Sequence, residues 1–237
     1  MPVTSGFPPI MQPYADALLD QALHGLGRTR GRDVFVVNIG ALDGSTFDGT
    51  AGYVCAYRWR GLFVEPIPEL FGRLLDFYKG FDGMRFENAA IAAHDGEVTM
   101  LRVAPALVDS GVVHQAFLGM SSLQPARNGL ASESDRPIVQ QYGEEIRVPC
   151  LTVPSLLAKH EVESIDVIHV DVEGYDWMVL QQFDLWRWRP TVVRIEQSSL
   201  SSIERREARW YMRGAGLEVV DFYDELVGVR PGAVATP

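Results

Sequence analysis

Four short apolar runs end in a side chain able to do chemistry. The run 165–171, Ile-Asp-Val-Ile-His-Val-Asp, closes on Asp171, with His169 two residues before it and Glu173 two residues after. The runs 191–196, 62–65 and 33–38 close on Glu196, Glu65 and Asn38. A carboxylate at the end of a buried strand is costly unless it is partnered or used. Strand alternation puts His169 and Asp171 on one face, with Asp171 nearer the strand end. His169, Asp171, Glu173 and Glu196 are therefore the candidates for a base that takes a proton from a hydroxyl, Asp171 first among them. Each also has a structural reading. His169 can be a hydrogen-bonded core residue, Glu173 a helix-entry carboxylate favoured by the macrodipole, and Glu196 a partner of Arg194 or of a lysine elsewhere. Asp171, Glu173 and Glu196 also offer the hard oxygen ligands that Mg²⁺ takes, but their spacing specifies no metal, and no Cys/His pattern suits zinc.

The run 33–38 opens into Asn38-Ile-Gly40-Ala41-Leu-Asp43-Gly44. The turn fails the dinucleotide fingerprint, because Leu42 and Ser45 stand where the second and third glycines belong. A pyrophosphate has little use for Asp43, whereas a cationic ligand such as S-adenosylmethionine tolerates it. Glu65 falls 21 residues after Gly44, the usual place for a carboxylate that accepts both ribose hydroxyls. Loop and acid together suggest an adenosyl cofactor without phosphates; a tight turn and a solvated strand end are the plainer alternatives.

These residues need strands to hold them, and the chain alternates strands with helices throughout. Residues 2–13 carry four prolines and read as an irregular arm before a leader helix; the two together occupy 1–32. Strand 33–38, a helix ending near 59, strand 62–65 and helix 68–78 follow. Residues 84–93 read as a third strand, and His94-Asp95-Gly96 as the turn into 97–103, which would pair back on it. From 104 to about 145 periodicity is lost, which predicts an inserted lid or binding loop. Within it Gly119-Met-Ser121-Ser122-Leu123 and His114 offer further polar groups. Strand 146–153, strand 165–171, helix 175–183, strand 191–196, helix 203–214 and a hairpin over 217–230 complete the pattern. Such alternation predicts a doubly wound parallel sheet with its ligand at the carboxyl ends of the strands.

Taken together, Val37-Asn-Ile-Gly-Ala-Leu-Asp-Gly44, Phe63-Val-Glu-Pro66, Asn88-Ala-Ala-Ile91 and Ile165-Asp-Val-Ile-His-Val-Asp-Val-Glu-Gly-Tyr175 resemble the FkbM-type S-adenosylmethionine-dependent methyltransferases. The resemblance runs from about 33 to 230. It implies an α/β, Rossmann-like class I methyltransferase fold over 33–237: a seven-stranded, mostly parallel sheet with one antiparallel edge hairpin. It also implies O-methylation of a hydroxyl on a sugar, lipid or secondary metabolite, as in natural product biosynthesis. Carried over, Asn38, Gly40, Ala41, Asp43 and Gly44 would line the methionine portion of the cofactor. Glu65 with Pro66 would meet the ribose, and Asn88-Ala89 the adenine. Ser122 would meet the cofactor carboxylate or the acceptor, and Asp171 the methionine amine or the acceptor. The family often has Asp where Asn38 stands and Lys where His169 stands. Mg²⁺ stays open, as in catechol-type O-methyltransferases. Rival readings are a nucleotide- or nicotinamide-using α/β enzyme and a methyltransferase-like domain without catalysis.

Composition agrees with a folded domain: 237 residues, 47% hydrophobic and 22% charged. A net charge of −10 repels phosphate backbones and argues against nucleic acid as a partner. Trp186 and Trp188 are accordingly read as core or interface residues rather than base-stacking platforms. Two cysteines, Cys55 and Cys150, make no disulfide framework, and a cytoplasmic location is the expectation. Neither a signal sequence nor an apolar run long enough to span a membrane is found. The expected partner is a small-molecule acceptor, and a homo-oligomer stays open.

Overall fold

The computed structural model describes residues 12–126 and 132–232. The proline-rich arm lies mostly outside them. The leader helix α1 (Gln12–Arg30) is present and buries Ala15, Leu19, Ala22, Leu23 and Leu26. Its last residue, Arg30, pairs with the buried Asp166, which also accepts the N–H of Phe35 at 2.9 Å. That link ties the helix to the sheet.

The strands are β1 (Phe35–Ile39), β2 (Arg60–Val64), β3 (Met84–Glu87), β4 (Ala90–Ile91), β5 (Gly96–Val103), β6 (Gly143–Leu151), β7 (Val167–Val170), β8 (Val192–Glu196), β9 (Glu218–Phe222) and β10 (Glu225–Val229). The helices after α1 are α2 (Ala51–Tyr57), α3 (Pro68–Phe77), α4 (Pro105–Asp109), α5 (Arg136–Tyr142), α6 (Val153–Lys159), α7 (Asp176–Leu180), α8 (Leu185–Trp188) and α9 (Ser202–Gly214). Seven strands form one sheet in the order β3-β2-β1-β7-β8-β10-β9. All neighbours are parallel except β10, which runs antiparallel to both β8 and β9 and makes the edge hairpin. This is the class I methyltransferase arrangement.

Every residue of β1, β7 and β8 is buried, which is why these runs are mostly Val, Ile and Phe: both faces are covered. On one face Val37, Ile39, Ile168, Val170, Val193 and Ile195 pack against α7 and α9; on the other Val36, Phe63, Val167 and Val192 pack with Leu23, Val54 and Trp59. Each fully buried Val, Ile or Leu contributes about 1.5–3 kcal/mol, so the central strands carry much of the stabilisation of the core. α9 starts with a capping box, Ser201 Oγ accepting the Glu204 N–H and Glu204 accepting the Ser201 N–H at 2.9 Å.

Several expectations are corrected. Residues 84–93 are not one strand: β3 ends at Glu87 in the large sheet, and β4 pairs with β6 in a second sheet, ordered β4-β6-β5. β5 does not fold back on β3 but pairs antiparallel with β6 over eight residues, Gly96 to Val103 against Cys150 to Gly143. The inserted segment is therefore the long connection of a hairpin, and β6 begins at Gly143, before the expected start. Nor is the segment without structure, since it carries α4, a 3₁₀ turn at Gln115–Leu118 and α5. The helix after β1 begins at Ala51, leaving 40–50 as a long loop over the strand ends.

Candidate active site

At the carboxyl ends of the central strands the structure opens into two cavities that share a wall. A narrow slot is lined by Val64, Glu65, Pro66, Ala89, Ile91, Leu123 and Val172 among others, and a wide cleft of about 770 Å³ by Phe47, Met120, Glu196, Ser198 and Asp224 among others. Gly40, Leu42, Gly119, Asp171 and Glu173 border both. The slot thus lies over β2, β1 and β7, and the cleft over β7, β8 and β10.

The shared wall depends on Gly40. Its φ is +89°, and a Cβ there would stand 1.8 Å from the Asp171 carbonyl oxygen. The Asp171 N–H donates to the Ile39 carbonyl at 2.9 Å, so the two strand ends are held backbone to backbone. Gly44 is a second required glycine: φ is +86°, and a Cβ would sit 2.9 Å from the Leu74 side chain.

Glu65 lines the slot and is only 2% exposed. Its two oxygens accept N–H groups of Leu42 at 2.9 Å and Ile67 at 2.8 Å. Burial pushes its pKa up to about 8 against the pull of those two donors. Pro66 and Ala89 are slot walls. Asn88 works behind the wall, its Nδ2 donating to the Glu65 and Pro66 carbonyls at 2.8 and 3.2 Å.

Several sequence candidates stand away from the cavities and hold the loop in shape. The Asp43 carboxylate faces its own turn, accepting N–H groups of Ser45 at 2.9 Å and Thr46 at 2.7 Å and both hydroxyls. Burial raises its pKa, but those bonds outweigh it and leave the carboxyl below its ordinary value. Ala41 and Gly44 sit in the same turn, where Gly44 donates to the Ala41 carbonyl at 2.8 Å. The buried Ser122 hydroxyl donates to the Glu173 carbonyl at 2.6 Å and accepts from the Gln124 N–H, pinning the inserted segment to the end of β7; Ser121, beside it, lines the slot. His114 is exposed and accepts the Ala116 N–H at 3.2 Å.

His169 and Asn38 lie side by side in register on β7 and β1, with Arg194 next to them on β8. Both are buried and neither borders a cavity. Asn38 Nδ2 donates to Asp48 at 2.9 Å, and His169 Nδ1 lies 3.5 Å from the same carboxylate. Asp48, buried and bonded also to Thr50, has its carboxyl held below the ordinary range: burial works against this, and the His169 and Thr50 contacts outweigh it. His169 is thus placed beneath the floor of the site, and its structural reading as a core histidine describes its surroundings.

Above that floor the acids gather. Burial pushes the Asp171 carboxyl up to about 6; His169 and Arg194 pull it down, and Glu225 and Asp224 push it up. Glu196 is 8% exposed; its Oε1 accepts N–H groups of Ser198 at 2.7 Å and Ser199 at 3.3 Å, and its Oε2 has no hydrogen-bond partner. Burial, then the Asp171 charge, raises its pKa. Arg194 is not the partner of Glu196 but forms a two-pronged pair with Glu225 at 2.7 and 2.5 Å. Among the described residues no three His, Cys, Asp or Glu side chains converge as metal ligands.

Sequence reasoning missed Asp48, Asp176 and the cleft acids Asp224 and Glu225. Asp176 is fully buried and accepts N–H groups of Val172 at 3.1 Å and Gly174 at 3.0 Å, fixing the turn that carries Glu173, whose φ is +55°. Its position just after Glu-Gly-Tyr is a turn-closing signal that could have been read. Trp186 is half-exposed and edge-on to Tyr211, Trp188 packs on the core, and neither borders the cleft.

No helix among the described residues is long and apolar enough to cross a membrane. No curated protein of known function matches the sequence. Among solved structures, the methyltransferase FkbM of Methylobacillus flagellatus KT superposes with a TM-score of 0.52 at 10% identity, over 84% of this chain and 44% of that one. The METTL16 MTase domain (TM-score 0.47, 10% identity, 97% of this chain and 72% of that one) and the fibrillarin pre-rRNA processing protein of Methanococcus jannaschii (0.39, 15%, 85% and 68%) are more distant in shape. This chain therefore spans less than half the length of the FkbM structure it resembles. Residues 38–220, from near the end of β1 into the hairpin strand β9, match the methyltransferase FkbM domain. The strand ends and the loops that shape both cavities fall inside that match, and the chain belongs to the FkbM methyltransferase family, with which goes the use of S-adenosylmethionine.

Proposed function

We propose that the protein transfers a methyl group from S-adenosylmethionine to a hydroxyl of a small molecule. The observation that supports this best is the meeting of slot and cleft at Gly40 and Asp171. The slot suits the cofactor. Pro66, Ala89, Ile91, Leu123 and Val172 offer apolar walls to a flat base. Each Glu65 oxygen gives one lone pair to a backbone N–H and keeps acceptor capacity for ribose hydroxyls. The bare backbone at Gly40 leaves the shared wall free for close approach.

S-adenosylmethionine supplies an electrophilic methyl on a sulfonium, a leaving group that needs no further activation. The chain then has to align an acceptor oxygen and take its proton. Asp171 is assigned that role: with a pKa near 6 it is ionised at neutral pH yet still basic. Glu173 and Glu196 flank it in the cleft, while Asn38, Asp43, Gly44, Asn88 and Ser122 are positioning residues. The inserted segment borders the cleft through Ala116, Gly119 and Met120, and we read it as the cover that selects the acceptor.

The test is calorimetry with S-adenosylhomocysteine, followed by labelled methyl transfer to a set of hydroxyl compounds. Wild type binds, Glu65→Ala loses about 1.5–3 kcal/mol of affinity, and label is found on oxygen. No binding by wild type, or label on nitrogen or carbon, overturns the reading.

A further inference from the structure

The wide cleft is unbalanced in charge. Asp171, Glu173, Glu196, Asp224 and Glu225 border it, and no Lys, Arg or His does so among the described residues. Glu225 is neutralised by the two-pronged bond from Arg194. Asp171 and Glu173 stand at the wall shared with the slot, where the cationic cofactor of the proposed reaction would lie. Glu196 and Asp224 remain. They lie beyond that wall, over β8 and β10, so the cofactor does not account for them.

Glu196 is the informative residue. It is more than nine-tenths buried, lines the cleft, and leaves Oε2 without a hydrogen bond. A buried carboxylate oxygen with no donor is expensive and is tolerated where a ligand supplies the donor. A cation is the strongest such donor, because both charge and hydrogen bond are satisfied together. Ser198 and Ser199 beside it offer hydroxyls to a polar, uncharged part of the same ligand. A phosphate or carboxylate on the acceptor would meet only repulsion.

We propose that the acceptor is an amine-bearing polyol, of the amino-sugar or aminocyclitol class, whose ammonium is received by Glu196 with Asp224. This rests on reading the cleft as the acceptor side of a methyl-transfer site. It narrows the acceptor from any hydroxyl compound to one with a positive charge a short distance from the methylated oxygen.

Three probes that share one ring shape test it: 2-deoxystreptamine, which carries two ammonium groups, myo-inositol, which carries none, and myo-inositol 1-phosphate. Their affinities are measured by ligand-observed NMR, with and without S-adenosylhomocysteine. The expected order is 2-deoxystreptamine tightest, by about tenfold or more over myo-inositol, and the phosphate ester weakest. Glu196→Gln, which keeps the shape, and Asp224→Asn, at an exposed position, each reduce the preference by about threefold or more. Equal affinities, binding of none of the three, a preference for the phosphate, or a preference that survives both substitutions overturns the inference. Failure of S-adenosylhomocysteine to bind strikes instead at the methyl-transfer reading, since the preference for the cation is read independently.

Discussion

Gly40 and Asp171 meet backbone to backbone: a Cβ on Gly40 would stand 1.8 Å from the Asp171 carbonyl oxygen, at a φ of +89° that L side chains rarely adopt. The obstruction is main chain, which cannot swing aside. Gly40→Ala must therefore separate the ends of β1 and β7 or distort the loop. The expected outcome is a stability loss of at least about 1–3 kcal/mol and S-adenosylhomocysteine affinity too weak for calorimetry. Wild-type affinity in Gly40→Ala would mean that the shared wall is not part of the binding surface.

Glu65 makes cofactor binding depend on pH. Burial raises its pKa to about 8, so in the free protein it is largely protonated at neutral pH. Ribose hydroxyls donate to the carboxylate form, so binding favours ionisation and releases a proton below that value. Affinity for S-adenosylhomocysteine should rise from about pH 6.5 to about 8 and then level off, by up to about tenfold per pH unit. In Glu65→Gln the affinity is lower and that rise is lost. A rise that persists unchanged in Glu65→Gln assigns it to another group.

Much of this architecture can be read from the chain, for definite reasons. The runs holding Asn38, Asp171 and Glu196 lie in or end strands buried on both faces, so they are mostly apolar and their polar last residues stand out. Asp48 does not stand out, because an acid in a loop looks the same whether it faces water or a distant histidine. The partnership of Asp48 with His169 exists only once β7 is laid beside β1. The pairing of β5 fails for the same reason. His94-Asp95-Gly96 advertises a local hairpin, but the matching strand lies across the inserted segment, and only burial of Val98 and Met100 against Val148 and Cys150 selects it.

Asp171→Asn separates a base from a metal ligand. The substitution keeps shape and removes charge, and turnover at saturating cofactor should fall by at least about a hundredfold. Wild-type turnover should rise with pH through about 6, the value at which Asp171 ionises. Direct proton acceptance further requires that turnover survive exhaustive chelation. Loss on chelation with recovery in Mg²⁺ would reassign Asp171, Glu173 and Glu196 to holding a metal. Wild-type turnover in Asp171→Asn would remove Asp171 from the chemistry altogether.

The acids above the sheet set a stability profile opposite to that of ordinary salt bridges. Asp171, Asp176 and Glu196 have carboxyl pKa values raised by burial and by neighbouring carboxylates, so the folded protein holds protons that the unfolded chain releases. For such groups stability is fully present below the unfolded pKa of about 4 and is lost as pH rises through the folded value. Groups of the opposite kind, Asp43 and Asp48, have lowered pKa values and lose their contribution only in acid, outside this window. Tm should therefore fall between about pH 5 and about pH 8. Glu196→Gln removes one of the mutually repelling charges while keeping the acceptor for the Ser198 N–H. At about pH 8 it should stabilise by on the order of 1 kcal/mol, or about 2–4 °C in Tm, with little effect near pH 5. A ligand bearing an ammonium should flatten the wild-type profile by meeting the same charge, and should flatten the variant's less. A wild-type Tm that holds level from pH 5 to 8, with no gain from Glu196→Gln, would show that these carboxylates already have their counter-charge in the free protein.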